Sequence, residues 1–191
     1  MTLMSTGINL RKKTMQLIKR WITYIIIFVT AVLLTNQYNE YNNLEKARIE
    51  QQQFVQQEKN CIKNALYYEA RSEGLIGILA VASVIENRKN SGKYPSTYCE
   101  VINQHKQFSY TIEGKRDVES LEQRLLASDK KAYGDVSEVA HSMLNGDFKP
   151  VLPEEVLWYA KTSVQNYWTK TKKVVTRVGE HAFYKDKPKS K

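Results

Sequence analysis

The sequence predicts a mainly α domain with a small β element (α+β), preceded by an N-terminal transmembrane helix. Three observations carry this. A run without a charge, WITYIIIFVTAVLLT at residues 21–35, follows a basic start. Apolar residues at helical spacing dominate from Asn60 to Arg88. A basic, β-branched stretch, KKVVTRVGEHAFYK at 172–185, alternates with a period of two.

Residues 1–20 contain Arg11, Lys12, Lys13, Lys19 and Arg20 and no acid, so they hold more than half of the net charge of +9. The middle of the chain is close to neutral and the last stretch, from Lys170, is basic again. No basic stripe with interleaved aromatic residues marks a nucleic-acid groove, and nucleic acid is not an expected partner. As a helix, residues 21–35 span roughly 22 Å. That is short against a hydrocarbon core of about 30 Å, but Arg20 can snorkel and Trp21 suits an interface. No small-x-small cleavage site precedes Asn36. The expectation is an uncleaved signal anchor that crosses the inner (cytoplasmic) membrane once, with residues 1–20 in the cytoplasm and everything after Asn36 in the periplasm. The alternative is a signal peptide removed on secretion.

Residues 36–58 are polar and lack Gly and Pro, with Leu44, Ile49, Phe54 and Val55 too sparse for a core helix. They read as a helical or partly disordered stalk. The compact domain is expected over 59–185, with a basic tail at 186–191. Its first helix covers Asn60 to Arg71 and breaks at Ser72 and Gly74. A second, Leu75 to Arg88, is apolar nearly all round, which implies burial in the domain centre. NSGKYP at 90–95 is a loop. A short helix over Tyr98–Gln104 leads to QFSYTIEGKRD, a loop or hairpin with Gly114 at its turn. One or two helices follow over 119–145, carrying Leu121, Leu125, Val136, Val139, Ala140, Met143 and Leu144, closed by Asn145–Gly146.

Glu69 and Glu73 sit against the most apolar stretch of the domain. A carboxyl there loses hydration and holds its proton to higher pH unless a partner ties it up. Glu69, at a helix end beside a buried helix, has the position a glycosidic general acid needs. The competing reading is a salt bridge to Arg71 or Arg88. Glu73, in the break, reads as a solvated or loop-bracing residue. Export would bring Cys61 and Cys99 into an oxidising compartment, where one structural disulfide is the simple outcome and two separate buried thiols the alternative. His105, His141 and His181 stand in unrelated contexts without HExxH, so no metal and no cofactor is expected. Nor does GxSxG mark a nucleophilic serine. Tyr67, Tyr68, Phe108, Tyr110, Trp158, Tyr159, Trp168, Phe183 and Tyr184 suit sugar rings and hydrophobic cores alike.

The run CIKNALYYEARSEGLIGILAVASVIENR, from Cys61 to Arg88, resembles the opening of the SleB-type cell wall hydrolase family, the spore cortex-lytic catalytic domain. The pattern YYEAR-x-E, then G-x-x-A-V-A-x-V-x-x-N-R, is matched by Tyr67 to Arg71, Glu73, Gly77, Ala80, Val81, Ala82, Val84, Asn87 and Arg88. YPSTYCEVINQ, QFSYT, Trp168 and RVGEHAFYK continue it, so the resemblance covers about residues 59–185. It implies a compact, lysozyme-like or transglycosylase-like domain that cuts the glycan strand of peptidoglycan between N-acetylmuramic acid and N-acetylglucosamine. The catalytic glutamate it implies is the one in YYEAR, Glu69, with Glu73 the secondary acid candidate. Members of this subtype carry the two cysteines at these places, in agreement with a Cys61–Cys99 disulfide. Together with the aromatic set, the motifs give Tyr68, Gln107, Phe108, Ser109, Trp158, Trp168 and His181 as glycan-binding candidates. The chain departs from the pattern at Trp158-Tyr159-Ala160, where a His is expected after the aromatic pair.

Without a second carboxylate at fixed spacing, a lytic transglycosylase route is favoured, with Glu69 as acid and then base. Hydrolysis assisted by Glu73 is the rival. Outside this class stand a zinc-dependent amidase, which needs the three histidines to converge, and a non-catalytic wall-binding module, which tolerates loss of Glu69. The anchor, the small size and the lack of a separate wall-binding domain favour a phage endolysin.

Overall fold

A computed structural model describes residues 3–104, 108, 118, 127–165 and 167–188. Its described part is mainly helical with one small sheet, as the sequence predicts. Helix α1 spans Leu3–Ala70, and the chain divides into two compact units, Met1–Gln52 and Gln53–Lys191.

The first unit is helical throughout its described length. Its apolar run is long and apolar enough to cross a membrane and is not buried by the protein. Ile25, Ile26, Ile27 and Phe28 are all exposed. The three threonines of the run close back onto the helix: Thr23 Oγ1 donates to Lys19 O, Thr30 Oγ1 to Ile27 O and Thr35 Oγ1 to Val32 O, each at 2.9 Å. None of these three hydroxyls therefore asks for water, the condition a hydrocarbon environment sets. The polar region that follows stays helical, supported by Arg48–Glu45 at 2.6 Å and Lys46–Glu50 at 3.9 Å. Such exposed pairs support the helix only weakly, because solvent screens them.

In the second unit, α1 stops where Ala70 turns out of helical geometry (φ −133°, ψ 1°). A 3₁₀ turn, Arg71–Glu73, follows, and Gly74 at φ +66° redirects the chain into α2, Gly74–Asn90. A β-carbon would be strained at that φ, so glycine suits the break. Helix α2 touches α3 (Tyr98–Ile102), α4 (Ala127–Asn145), β1 (Trp158–Lys161) and β2 (Lys173–Val178). Its Ile78, Val81, Val84 and Ile85 are fully enclosed, each such burial worth roughly 1.5–3 kcal/mol. Its first turn is not: Leu75 is 45% and Ile76 63% exposed. Burial all round holds only from Gly77 onward, because the first turn emerges from the break rather than from the core. Gly146, at φ +77°, ends α4 at the Asn145–Gly146 signal.

A short helix α5, Tyr167–Thr171, precedes β2, and β3 (His181–Lys185) completes an antiparallel sheet of order β1-β3-β2. Trp158 faces Tyr184 across β1–β3, and His181 pairs with both Lys161 and Val178. The register of β2 shifts between Val174 and Thr176, and Val175 packs against the core. As the middle strand β3 is buried from His181 to Tyr184, which explains its nearly continuous apolar and aromatic run.

The polar end of α2 ties the sheet to the helices. Asn87 Nδ2 donates to Pro153 O (2.8 Å) and Val156 O (3.2 Å), Arg88 Nε donates to Leu157 O (2.7 Å), and Ser83 Oγ accepts from Val151 N (2.9 Å). These bonds fix the segment that enters β1. Cys61 and Cys99 form a disulfide, the simple outcome expected for them. Beside it Glu58, 4% exposed, accepts from Tyr98 N at 2.7 Å and Cys99 N at 3.1 Å, and so caps α3. Glu58, in the polar stretch read as a stalk, is thus buried with the domain, and the second unit runs from Gln53. The expected hairpin around Gly114, and Leu121 and Leu125, lie outside the described residues.

Candidate active site

Glu69 lies in the last turn of α1. Ile62, Ala65, Leu66 and Ala70 bury one face of that helix, and Tyr68 and Glu69 lie half-buried beside it. The helix stops one residue later, which leaves Glu69 at a blunt end rather than along a packed flank. Tyr67 and Tyr68 meet edge to face at 5.4 Å, and the Arg71 guanidinium stands 4.8 Å from the Tyr67 ring and 6.0 Å from the Tyr68 ring. Arg71 Nε is 3.9 Å from Asp129 Oδ1, and Arg88 is buried with its Nε on Leu157 O.

Glu73 overturns part of its sequence reading. It braces a loop, but it is not solvated: its side chain is only 6% exposed. Oε2 accepts from Glu180 N at 2.9 Å, and Oε1 lies 3.5 Å from His181 Nδ1. Two glycines make the room. A β-carbon on Gly179 would overlap Oε2 and stand 2.7 Å from the Glu73 Cδ; one on Gly77 would overlap the Glu73 Cβ and stand 3.1 Å from its Cγ. Composition around residue 73 hides this, because half of the seat comes from a turn more than a hundred residues away. The signal available in the sequence is the joint presence of Glu73-x-x-x-Gly77 and Gly179-Glu180-His181.

His181 is 4% exposed and turns its Nδ1 to Glu73, with the Tyr159 ring 5.5 Å away, so it serves the interior more than an open glycan surface. Burial pushes its pKa below the usual imidazole range, while the charges of Glu73 and Glu69 pull the other way. His181 thereby links the two glutamates in one electrostatic neighbourhood.

The other candidates divide. Phe108 is fully buried against Tyr159 (6.4 Å) and packs in the core, not on a sugar-facing surface. Tyr159 is the hub there, stacked on Phe183 at 5.9 Å. Ala160, where a His was expected, faces Ala182 in the sheet. Trp158 and Trp168 are half-buried at the other end of β3: Lys172 Nζ stands 3.5 Å over the Trp158 ring, and Trp168 meets Tyr184 edge to face at 5.4 Å. Gln107, Ser109 and His105 lie outside the described residues. His141 is exposed on α4 against Asn145 Nδ2 (3.0 Å), whereas His181 is enclosed, so these two do not converge as the amidase alternative requires. Among the described residues no three His, Cys, Asp or Glu side chains are grouped to hold a metal ion.

The chain is similar to known proteins in sequence and in fold. The chain is 27% identical over 132 residues to a spore cortex-lytic enzyme of Bacillus cereus, covering 69% of this chain and 46% of that protein. It is 29% identical over 134 residues to a spore cortex-lytic enzyme of Oceanobacillus iheyensis, covering 70% and 44%. It spans less than half the length of these curated relatives. The crystal structure of the catalytic domain of the Bacillus cereus SleB protein superposes with a TM-score of 0.50 at 28% identity, over 68% of this chain and 91% of that one. The fold is therefore that of the SleB catalytic domain. A family model, Cell Wall Hydrolase, matches residues 72–184, which include Glu73, Gly77, Gly179 and His181 and begin three residues after Glu69. That match covers more than half of the chain, and the chain belongs to the cell wall hydrolase family.

Proposed function

We propose that the chain cleaves the glycan strand of peptidoglycan between N-acetylmuramic acid and N-acetylglucosamine, with Glu69 as the one acid and base. Glu69 protonates the glycosidic oxygen as the bond to the muramic acid C1 breaks. The carboxylate then takes the proton of the muramic acid 6-hydroxyl, whose oxygen closes on C1 to give a 1,6-anhydro end. Family membership supports the substrate class, and the relatives' description as spore cortex-lytic enzymes agrees with it. The observation that carries the one-carboxylate route is the commitment of Glu73 to Glu180 N and His181, which leaves Glu69 as the acid at the blunt helix end.

Residues 21–35 are proposed to anchor the enzyme in the inner membrane with the domain in the periplasm; their exposed apolar surface and self-satisfied threonines support this. Mass spectrometry of fragments released from purified peptidoglycan tests the chemistry. Anhydro-muramic ends are expected, and reducing ends would favour hydrolysis with a second group directing water. Glu69→Gln, which keeps shape but has no proton to give, is expected to lower turnover by about 10² to 10⁴. Near wild-type release by a folded Glu69→Gln would reject the assignment.

A further inference from the structure

We infer that Glu73 is a positioning residue, the anchor that sets where Glu69 stands, and not a second acid or base. This rests on the reading of Glu69 as the catalytic acid. A group that activates water must turn a carboxylate oxygen toward the reacting centre, within hydrogen-bond reach of the proton it takes. Glu73 turns one oxygen to the Glu180 N–H and the other to His181, and its side chain is nearly enclosed.

The seat is specific to this one side chain. Gly77, one turn into α2, and Gly179, at φ +54° in the turn between β2 and β3, each lie where a β-carbon would collide with Glu73. Two backbones therefore close on one side chain, Gly77 at its Cβ–Cγ stem and Gly179 at its carboxylate. The 3₁₀ turn it holds packs against α2 and α4 but buries no residue of its own. None of Arg71, Ser72 and Glu73 is a buried residue as a whole, and α1 ends at Ala70 just before them. Arg71–Asp129, at 3.9 Å and partly exposed, is a loose tether by comparison. Only three residues separate Glu69 from Glu73, so fixing Glu73 to the β2–β3 turn fixes the end of α1 relative to His181. A catalytic group displaced by about 1 Å loses on the order of 10² in rate, which is the scale of effect such an anchor controls.

Three variants of the full chain decide it: Glu73→Gln, Glu73→Ala and Gly179→Ala, assayed on purified peptidoglycan across substrate concentrations and pH. Glu73→Gln keeps an oxygen for the Glu180 N–H and is expected to lose less than about tenfold, with the acidic limb of its pH profile unchanged. Removing the anchor with Glu73→Ala, or crowding it with Gly179→Ala, is expected to lower kcat about 10²-fold with KM nearly constant, well below the melting temperature. Faster hydrogen exchange at the Glu180 amide should accompany both. Glu73→Gln as inactive as Glu73→Ala, or an acidic limb that moves in Glu73→Gln, would overturn the inference and make Glu73 a proton-transfer group. If Glu73→Ala or Gly179→Ala fails to fold, the near-isosteric Glu73→Gln still separates anchor from proton-transfer group. The Glu180 exchange rate reads the anchor even if Glu69→Gln stays active, so failure of the Glu69 assignment would be seen separately.

Discussion

Glu58 Oε1 accepts the backbone N–H of Cys99 at 3.1 Å, one helical turn from the residue that is joined to Cys99 by the disulfide. The same carboxylate takes the Tyr98 N–H, while the Thr97 hydroxyl accepts from Glu100 N, so two side chains close the start of α3. Glu58→Ala would leave buried donors without their acceptor, at a cost of about 1–3 kcal/mol. A melting temperature several degrees lower is expected for Glu58→Ala. A chain starting at Lys59 should show the same deficit and one starting at Gln53 should not. Equal melting of all three would remove Glu58 from the domain.

The Cys61–Cys99 bond closes a loop with a sequence separation of 38. In the chain-entropy picture such a loop stabilises by about 4 kcal/mol. Exported protein should show no reactive thiol before reduction, and reduction should lower the melting temperature. Two thiols that label without reductant would contradict the bond.

His181 gives the fold an acid sensitivity of known sign. Its folded pKa lies below the unfolded value of about 6.5, so the unfolded chain takes up the proton first as pH falls. Its contribution is complete above about pH 6.5 and is lost as pH falls through that value toward the folded one. The groups acting on it are Glu73, Glu69 and Glu180, which favour the proton, and Lys161, which opposes it. Melting temperatures measured from about pH 7 to about pH 5 should fall more steeply for the wild type than for His181→Gln. Parallel curves would discard the assignment.

Asn87 donates to two carbonyls of the segment entering β1. Asn87→Asp replaces that donor with a carboxylate facing two carbonyl oxygens and should destabilise more than Asn87→Ala, itself expected to cost about 1–3 kcal/mol. Denaturant titration orders the two. The reverse order would mean that the bonds contribute little.

For residues 21–35, fractionation is expected to find full-length protein in the membrane, with the domain cut by protease only from the periplasmic side. A soluble product whose sequence starts near Asn36 would identify a cleaved signal peptide.

Local chemistry makes much of this legible. The break around 71–74, the Asn145–Gly146 stop, the β-branched run through 173–178 and the pairing of the cysteines each depend on residues close in sequence or on compartment. The features that escape depend on distant partners. Strand β1 exists because Trp158–Lys161 finds an edge of β3, and nothing within four residues announces that. Glu58 reads as stalk because the amides it caps lie forty residues on. Glu73 reads as solvated for the same reason. Phe108 reads as a sugar contact, since an aromatic ring looks alike in sequence whether it packs on a glycan or on Tyr159.

The disulfide encloses more than its two ends. Glu69, Glu73 and all of α2 lie on the covalent ring that it closes between residues 61 and 99. A peptide bond cut in the loop at 91–97 would open that ring without releasing either piece, and the packed α2 would hold the severed ends in register. The nicked molecule would run as a single band until reductant divided it. A chain built this way is expected to tolerate its first proteolytic wound at the surface loop that follows α2.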